Sequence, residues 1–155
     1  MNVELNNSQS NRAGKLQKVI WAAQVFLQLL LGAALVFAGI SHLTVARVEF
    51  LAQVPTWLPL NGDFVVVASG IVEIVLGLSL IFLFKWRAYV GLAAAGFFIL
   101  IFPGNISQYV NGIDAFGLNT DQARFTRLFF QPVLVVWALW ATGGWRVLFR
   151  KTTKQ

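Results

Sequence analysis

The chain contains no cysteine, a single histidine (His42) and a single methionine (Met1) in 155 residues. These shortages close off much chemistry. Without thiols there is no disulfide exchange, no iron–sulfur ligation and no covalent haem attachment within the chain. One histidine and one methionine leave a single copy poorly supplied for axial haem ligation. Any redox chemistry must use a borrowed cofactor or a partner. Charge is also scarce, at 12% of residues, where soluble domains carry about a quarter. With 57% hydrophobic residues and a mean hydropathy of +0.69, a soluble fold would have to bury nearly everything, which so short a chain cannot do. The apolar residues come in long blocks, as membrane spans do.

The net charge of +6 does not point to nucleic acid. Basic residues sit at the ends of apolar blocks, with none of the aromatic interleaving of a nucleic-acid groove. The composition and patterning describe an all-α integral membrane protein, an antiparallel four-helix bundle whose spans cover about residues 19–41, 63–84, 88–109 and 122–148.

Residues 1–18 are polar and rich in Asn and Ser, and read as a disordered tail. The first span carries no charge from Val19 to Ile40. Val36-Phe37-Ala38 resembles a signal-peptide cleavage site, but the apolar run exceeds the usual h-region of about 7–15 residues. In residues 41–63, Thr44 is expected to cap a short interfacial helix reaching Gln53. Pro55 and Pro59 stop regular structure, and Trp57 between them suits the headgroup layer. Asn61-Gly62 turns the chain and Asp63 is placed to cap the second span. The third span continues through Pro103, a kink tolerated where neighbours take up the freed backbone groups. Asn119 and Gln122 resemble a capping box for the fourth helix, whose end Gly143-Gly144 loosens. Residues 150–155 are a basic tail.

An even number of spans puts both termini on one side. Arg12, Lys15, Lys18, Lys85, Arg87, Arg146, Arg150, Lys151 and Lys154 share that side, against only Arg47, Arg124 and Arg127 on the other. The positive-inside rule then places the termini in the cytoplasm.

Glu73 lies mid-span in SGIVEIVLGL, roughly 14 Å below the outer end of its helix at 1.5 Å per residue. A carboxylic acid there costs about 2.5–3.5 kcal/mol on insertion scales, so it marks a functional site by default. Ser69, Gly70 and Gly77 flank it, and Gly32 and Gly39 present a similar small-residue face on the first span. Close helix contact in lipid depends on such residues, so this side of the second span faces protein. Gln131 sits one turn deeper than Arg127 on the same face, with Arg124 continuing the stripe outward. Asn105 and Gln108 share a face of the third span, and His42 ends the first. Every span thus gives a polar group to the outer half, while the inner half reads as almost purely apolar. The candidate ligand-binding pocket is His42, Glu73, Asn105, Arg127 and Gln131. Without a cation in reach, burial favours the neutral form of Glu73, which both donates and accepts hydrogen bonds. The bland alternatives are packing glue for Asn105 and Gln131, a snorkelling anchor for Arg127 and belt or lipid-facing roles for Tyr109, Trp137 and Trp140.

These same blocks resemble the DoxX and DoxX-like family of small four-span bacterial membrane proteins. The likeness runs over about residues 20–142: Gly-x-x-His at Gly39–His42, VP-x-x-LP at residues 54–59, Ser-Gly-x-x-Glu ending at Glu73, Phe-Pro-x-Asn ending at Asn105, then Arg127 with Gln131. The resemblance implies a membrane subunit associated with a quinone-linked redox complex, with most members lacking an assigned activity. Quinone is the cofactor it would suggest, and a membrane or periplasmic oxidoreductase the partner, beside the lipid bilayer itself.

Three functions compete: a redox-associated membrane subunit, a small-solute or proton-coupled carrier using Glu73, and a structural or assembly protein whose polar cluster sets helix register. Four spans without inverted repeats make a poor alternating-access machine unless the chain forms a homo-oligomer. An isolated enzyme fits least. The sequence shows no nucleophile–base pair, no phosphate-cradling glycine loop, no catalytic residue and no metal set, since His42 and Glu73 are too few for zinc.

Overall fold

The computed structural model describes residues 2–149, with side chains for residues 10–149. The regular structure of the described residues is all helical: α1 (Asn2–Leu43), α2 (Arg47–Leu51), α3 (Gly62–Phe82), a 3₁₀ turn at Phe84–Trp86, α4 (Arg87–Val110), α5 (Asp121–Thr142) and α6 (Trp145–Leu148). Four of these helices, α1, α3, α4 and α5, are long and apolar enough to cross a membrane, and α2 is the short helix between the first two. This is a multi-pass, all-α membrane architecture.

The boundaries differ from the sequence expectation in ways that have physical causes. The first helix does not begin at Val19 but extends back to Asn2, in place of the expected disordered tail. Residues 10–18 lie exposed on this extension, which contains no proline and several good helix formers. Met1 and the basic tail at 150–155 fall outside the described residues. Thr44 caps nothing: its hydroxyl donates back to the Ile40 carbonyl at 2.8 Å, and α2 starts after Ala46 without a side-chain cap. Asn61, not Asp63, is the N-cap of α3, its side chain accepting from the Asp63 and Phe64 amides at 2.9 and 3.2 Å. Thr120 takes the same role for α5 by accepting from the Ala123 amide, in place of the expected Asn119–Gln122 box. The fourth span stops at Thr142 rather than 148, because Gly143 adopts a left-handed φ of 74° that ends a helix without a Cβ clash.

Two tightly packed helix pairs make the bundle. In the α1–α3 pair, Gly32 meets Gly77 and Gly39 meets Gly70, carbonyl against missing side chain. A Cβ on Gly39 would lie 2.5 Å from the Gly70 oxygen, and one on Gly77 2.6 Å from the Gly32 oxygen. In the α4–α5 pair, the Thr142 side chain occupies the space a Cβ on Gly91 would need, and Arg87 donates to the Ala141 carbonyl.

The pairs join at the end of the bundle nearest the termini. Leu31, Leu35, Leu80, Ala94, Ala95, Phe97, Phe98 and Ala138 form the buried core there. Three polar ties reinforce it: Gln24 donates to Trp140 O at 2.9 Å, Gln28 to Leu80 O at 2.7 Å, and Trp137 Nε1 to Leu27 O at 3.0 Å. That half is therefore not purely apolar, and Trp137 is a half-buried interhelical donor rather than a lipid-facing belt residue. Toward the opposite, distal end the two pairs part around a chamber.

Candidate functional site

A cavity of about 770 Å³ lies between the α1–α3 and α4–α5 pairs, and His42, Glu73, Asn105, Arg127 and Gln131 all line it. Leu31, Leu35, Phe97, Phe98 and Leu134 line its deep end, while Phe50, Gln53, Val54 and Pro55 line the distal end. Such a volume falls in the range of ordinary small-molecule sites, about 300–1,000 Å³.

On the α1–α3 wall, Glu73 is 5% and His42 7% exposed. The glycine contacts bring α1 so near α3 that the His42 Cβ abuts Gly70. This carries the ring to Glu73, with Nδ1 to Oε2 2.9 Å apart. Nδ1 also lies 3.0 Å from the Ala38 carbonyl in hydrogen-bonding geometry, so Oε2 has no in-line donor and is left without a hydrogen bond. A buried acceptor of this kind is costly until something donates to it. The far side of the imidazole is fixed by Phe50, stacked with ring centroids 3.3 Å apart at 14°. The neighbour of the Glu73 carboxyl is thus His42 of α1, not a residue of α4 or α5.

The opposite wall has a different chemistry. Asn105 Nδ2 donates to Gln131 Oε1 at 2.8 Å, and Gln131 Nε2 to the Phe98 carbonyl at 2.6 Å. Both amides are buried. Arg127 donates to Gln53 Oε1 at 3.3 Å and rests 4.8 Å from the Phe116 ring. Among the described residues it has no carboxylate partner, whereas Arg47 pairs with Asp63 and Arg124 with Asp114 and Asp121. The chamber therefore presents a cation and amides opposite an acid–imidazole pair.

Gln53 and Phe116 escaped the sequence reading as functional neighbours, whereas Gln108 and Arg124 were named there and find other partners. Gln53 and Gln108 join the distal segments: Gln53 donates to Gln108 Oε1 at 2.6 Å, and Gln108 donates to the Ile113 and Ala115 carbonyls at 3.3 Å. Arg124 is not part of the chamber stripe; it clamps the 111–120 loop through Asp114 and the Leu118 carbonyl. Phe116 sits at a left-handed φ of 56°, rare for a bulky residue, held by Glu49 accepting from its amide at 2.5 Å and by an edge contact with Phe50. The continuous ladder His42–Phe50–Phe116–Arg127 thus ties the two walls at the distal end. The signal for Gln53 was its place at the end of an amphipathic stretch; nothing in the sequence marked Phe116.

No third His, Cys, Asp or Glu joins His42 and Glu73 among the described residues. Uncharged hydrogen-bonding ligands suit the walls better: Oε2 of Glu73 needs a donor, and Arg127 with the amides can meet a carbonyl or hydroxyl oxygen.

One family model matches, described as Domain of unknown function (DUF8561), over residues 31–142. No curated protein matches the chain, nor does any solved structure. The matched segment holds all five chamber residues and most of the four spans, and the chain belongs to that family.

Proposed function

Starting from a member of a family without an assigned activity, we propose that the protein is a membrane subunit of a redox system. Its chamber would hold the headgroup of a lipid-soluble carbonyl compound of the quinone class. The observation that carries this reading is the pair of unlike walls. A carbonyl oxygen finds Arg127, Asn105 and Gln131 on one side, and a hydroxyl finds Glu73 and His42 on the other. The quinol supplies a hydroxyl to each wall, accepting at one and donating at the other, while the oxidised quinone offers its carbonyl to the Arg127 wall. The likeness of the sequence blocks to the DoxX family supports the redox association, and the lack of cysteine leaves electron transfer to a membrane or periplasmic oxidoreductase partner. The predominance of basic residues at the termini supports a bacterial inner-membrane location with both ends cytoplasmic.

A carrier reading has one observation in its favour, the buried His42–Glu73 pair, which suits a protonation site. The packed core between the chamber and the terminal end argues against it, since Leu80, Ala94 and Ala138 are fully buried there. Purification in mild detergent, lipid extraction and mass spectrometry of both extract and protein test the proposal. A quinone recovered together with an oxidoreductase supports it; a protein that brings down neither contradicts it.

A further inference from the structure

The chamber is open on one side, and that side is made of apolar residues that face outward. Val72 on α3 and Leu100 on α4 both line the cavity, yet they are 41% and 75% exposed. Farther toward the distal end, Phe64 lines it and is also exposed. The small residues Ala68 on α3 and Gly104 on α4 lie along the same stretch of the lining. Helices α3 and α4 are consecutive in the chain, but each packs mainly on another partner, α1 and α5 respectively, which leaves the seam between them loose. Both belong to the four apolar membrane-length helices, so this seam faces hydrocarbon.

We infer that the α3–α4 seam is a doorway to the bilayer, through which a single-chain isoprenoid amphiphile inserts its polar head while its tail remains along Ala68, Val72 and Leu100. This deepens the quinone-class reading and rests on it. The polar end of the cavity selects the head, since Glu73 Oε2, which accepts no hydrogen bond, and Arg127, which among the described residues has no carboxylate partner, lie inside. The seam selects the tail, because Ala68, Val72 and Leu100 offer nothing polar to a second headgroup or to water. A water-soluble solute would have to enter past the stacked His42, Phe50 and Phe116 rings at the distal end.

The absence of native cysteine permits a reversible block. Ala68→Cys, treated with benzyl methanethiosulfonate, places one aromatic group in the seam, and a reducing agent removes it. Two probes are titrated against the purified full chain in detergent: a long-chain isoprenoid quinone, and its headgroup alone as a tail-less para-benzoquinone. The expected result is loss of long-chain binding on modification, retained headgroup binding, and full recovery on reduction. Leu100→Trp, outside the packed core, should impair the long-chain probe selectively as well. Long-chain binding unchanged by both the block and Leu100→Trp would overturn the doorway while leaving the chamber intact. Failure of both probes to bind unmodified protein would instead overturn the quinone-class reading. A phospholipid recovered as the bound species would overturn the assignment of a single-chain ligand.

Discussion

Gly39→Ala should part the helices that bring His42 to Glu73. The added Cβ would stand 2.5 Å from the Gly70 carbonyl oxygen and 2.7 Å from Ile74 Cγ1, where ordinary contact begins near 3.4 Å. Two rigid backbones must therefore separate by roughly 1 Å, and overpacking of this kind costs about 1–3 kcal/mol. Gly77→Ala meets the same obstacle, 2.6 Å from the Gly32 oxygen, on the same interface. Because one outward shift of α1 relieves both clashes, the double variant should lose less than the sum of the singles. Gly96→Ala is the counter-test. A Cβ there meets nothing within 4 Å, and replacing a mid-helix glycine by alanine should stabilise by about 0.5–1 kcal/mol. Thermal unfolding in detergent, followed by tryptophan fluorescence, reads all four variants. A Gly39→Ala protein as stable as wild type, or a Gly96→Ala protein less stable, would refute the packing reasoning.

Other consequences are equally open to measurement. His42→Ala removes the ring that stacks on Phe50 and neighbours the Glu73 carboxyl and should destabilise by about 1–3 kcal/mol, whereas Glu73→Gln, which keeps the shape and removes the acid, should unfold close to wild type; equal losses for the two would contradict this account. Asn105→Leu removes the donor to Gln131 and should cost about 1 kcal/mol, in keeping with interhelical bonds in membranes, an outcome the same melts would report. Phe116→Gly relieves a left-handed φ but unties Arg127 from the distal ladder, so solvent accessibility of a cysteine at Gln53 should rise; unchanged labelling would argue against the ladder. Single cysteines at Asn61 and Ser10 should label from opposite sides of sealed cells, with Ser10 protected until the membrane is opened. Labelling of Ser10 from outside with Asn61 protected would reverse the proposed topology.

Helix count and approximate span limits were legible in the sequence because long uncharged runs fix them with little help from tertiary contacts. The five chamber residues were legible too, since depth and helical face follow from spacing alone. What spacing does not give is which helices are neighbours. Glu73 was grouped with polar residues of all three other spans without a choice among them, yet α3 lies against α1, and its neighbour is His42. A usable signal existed: Gly32 and Gly39 are spaced like Gly70 and Gly77, and antiparallel matching of the two sets places His42 beside Gly70. Helix starts at Asn61 and Thr120 instead of their neighbours reflect competition among several adjacent capping residues, which local propensity ranks nearly equally. Gln24 and Gln28 were passed over, and Trp137 was read as a belt or lipid-facing aromatic, because a lone amide or indole in an apolar run has no periodic signature. Their role depends on a carbonyl supplied by another helix.

Photoaffinity labelling with an azido-quinone tests the central claim most directly. If the chamber holds a quinone headgroup, the label should map by mass spectrometry to peptides around His42, Glu73, Asn105 and Gln131, and excess unlabelled quinone should suppress it. Labelling that is not suppressed, or that falls on outward-facing positions such as Phe26 and Val136, would contradict it.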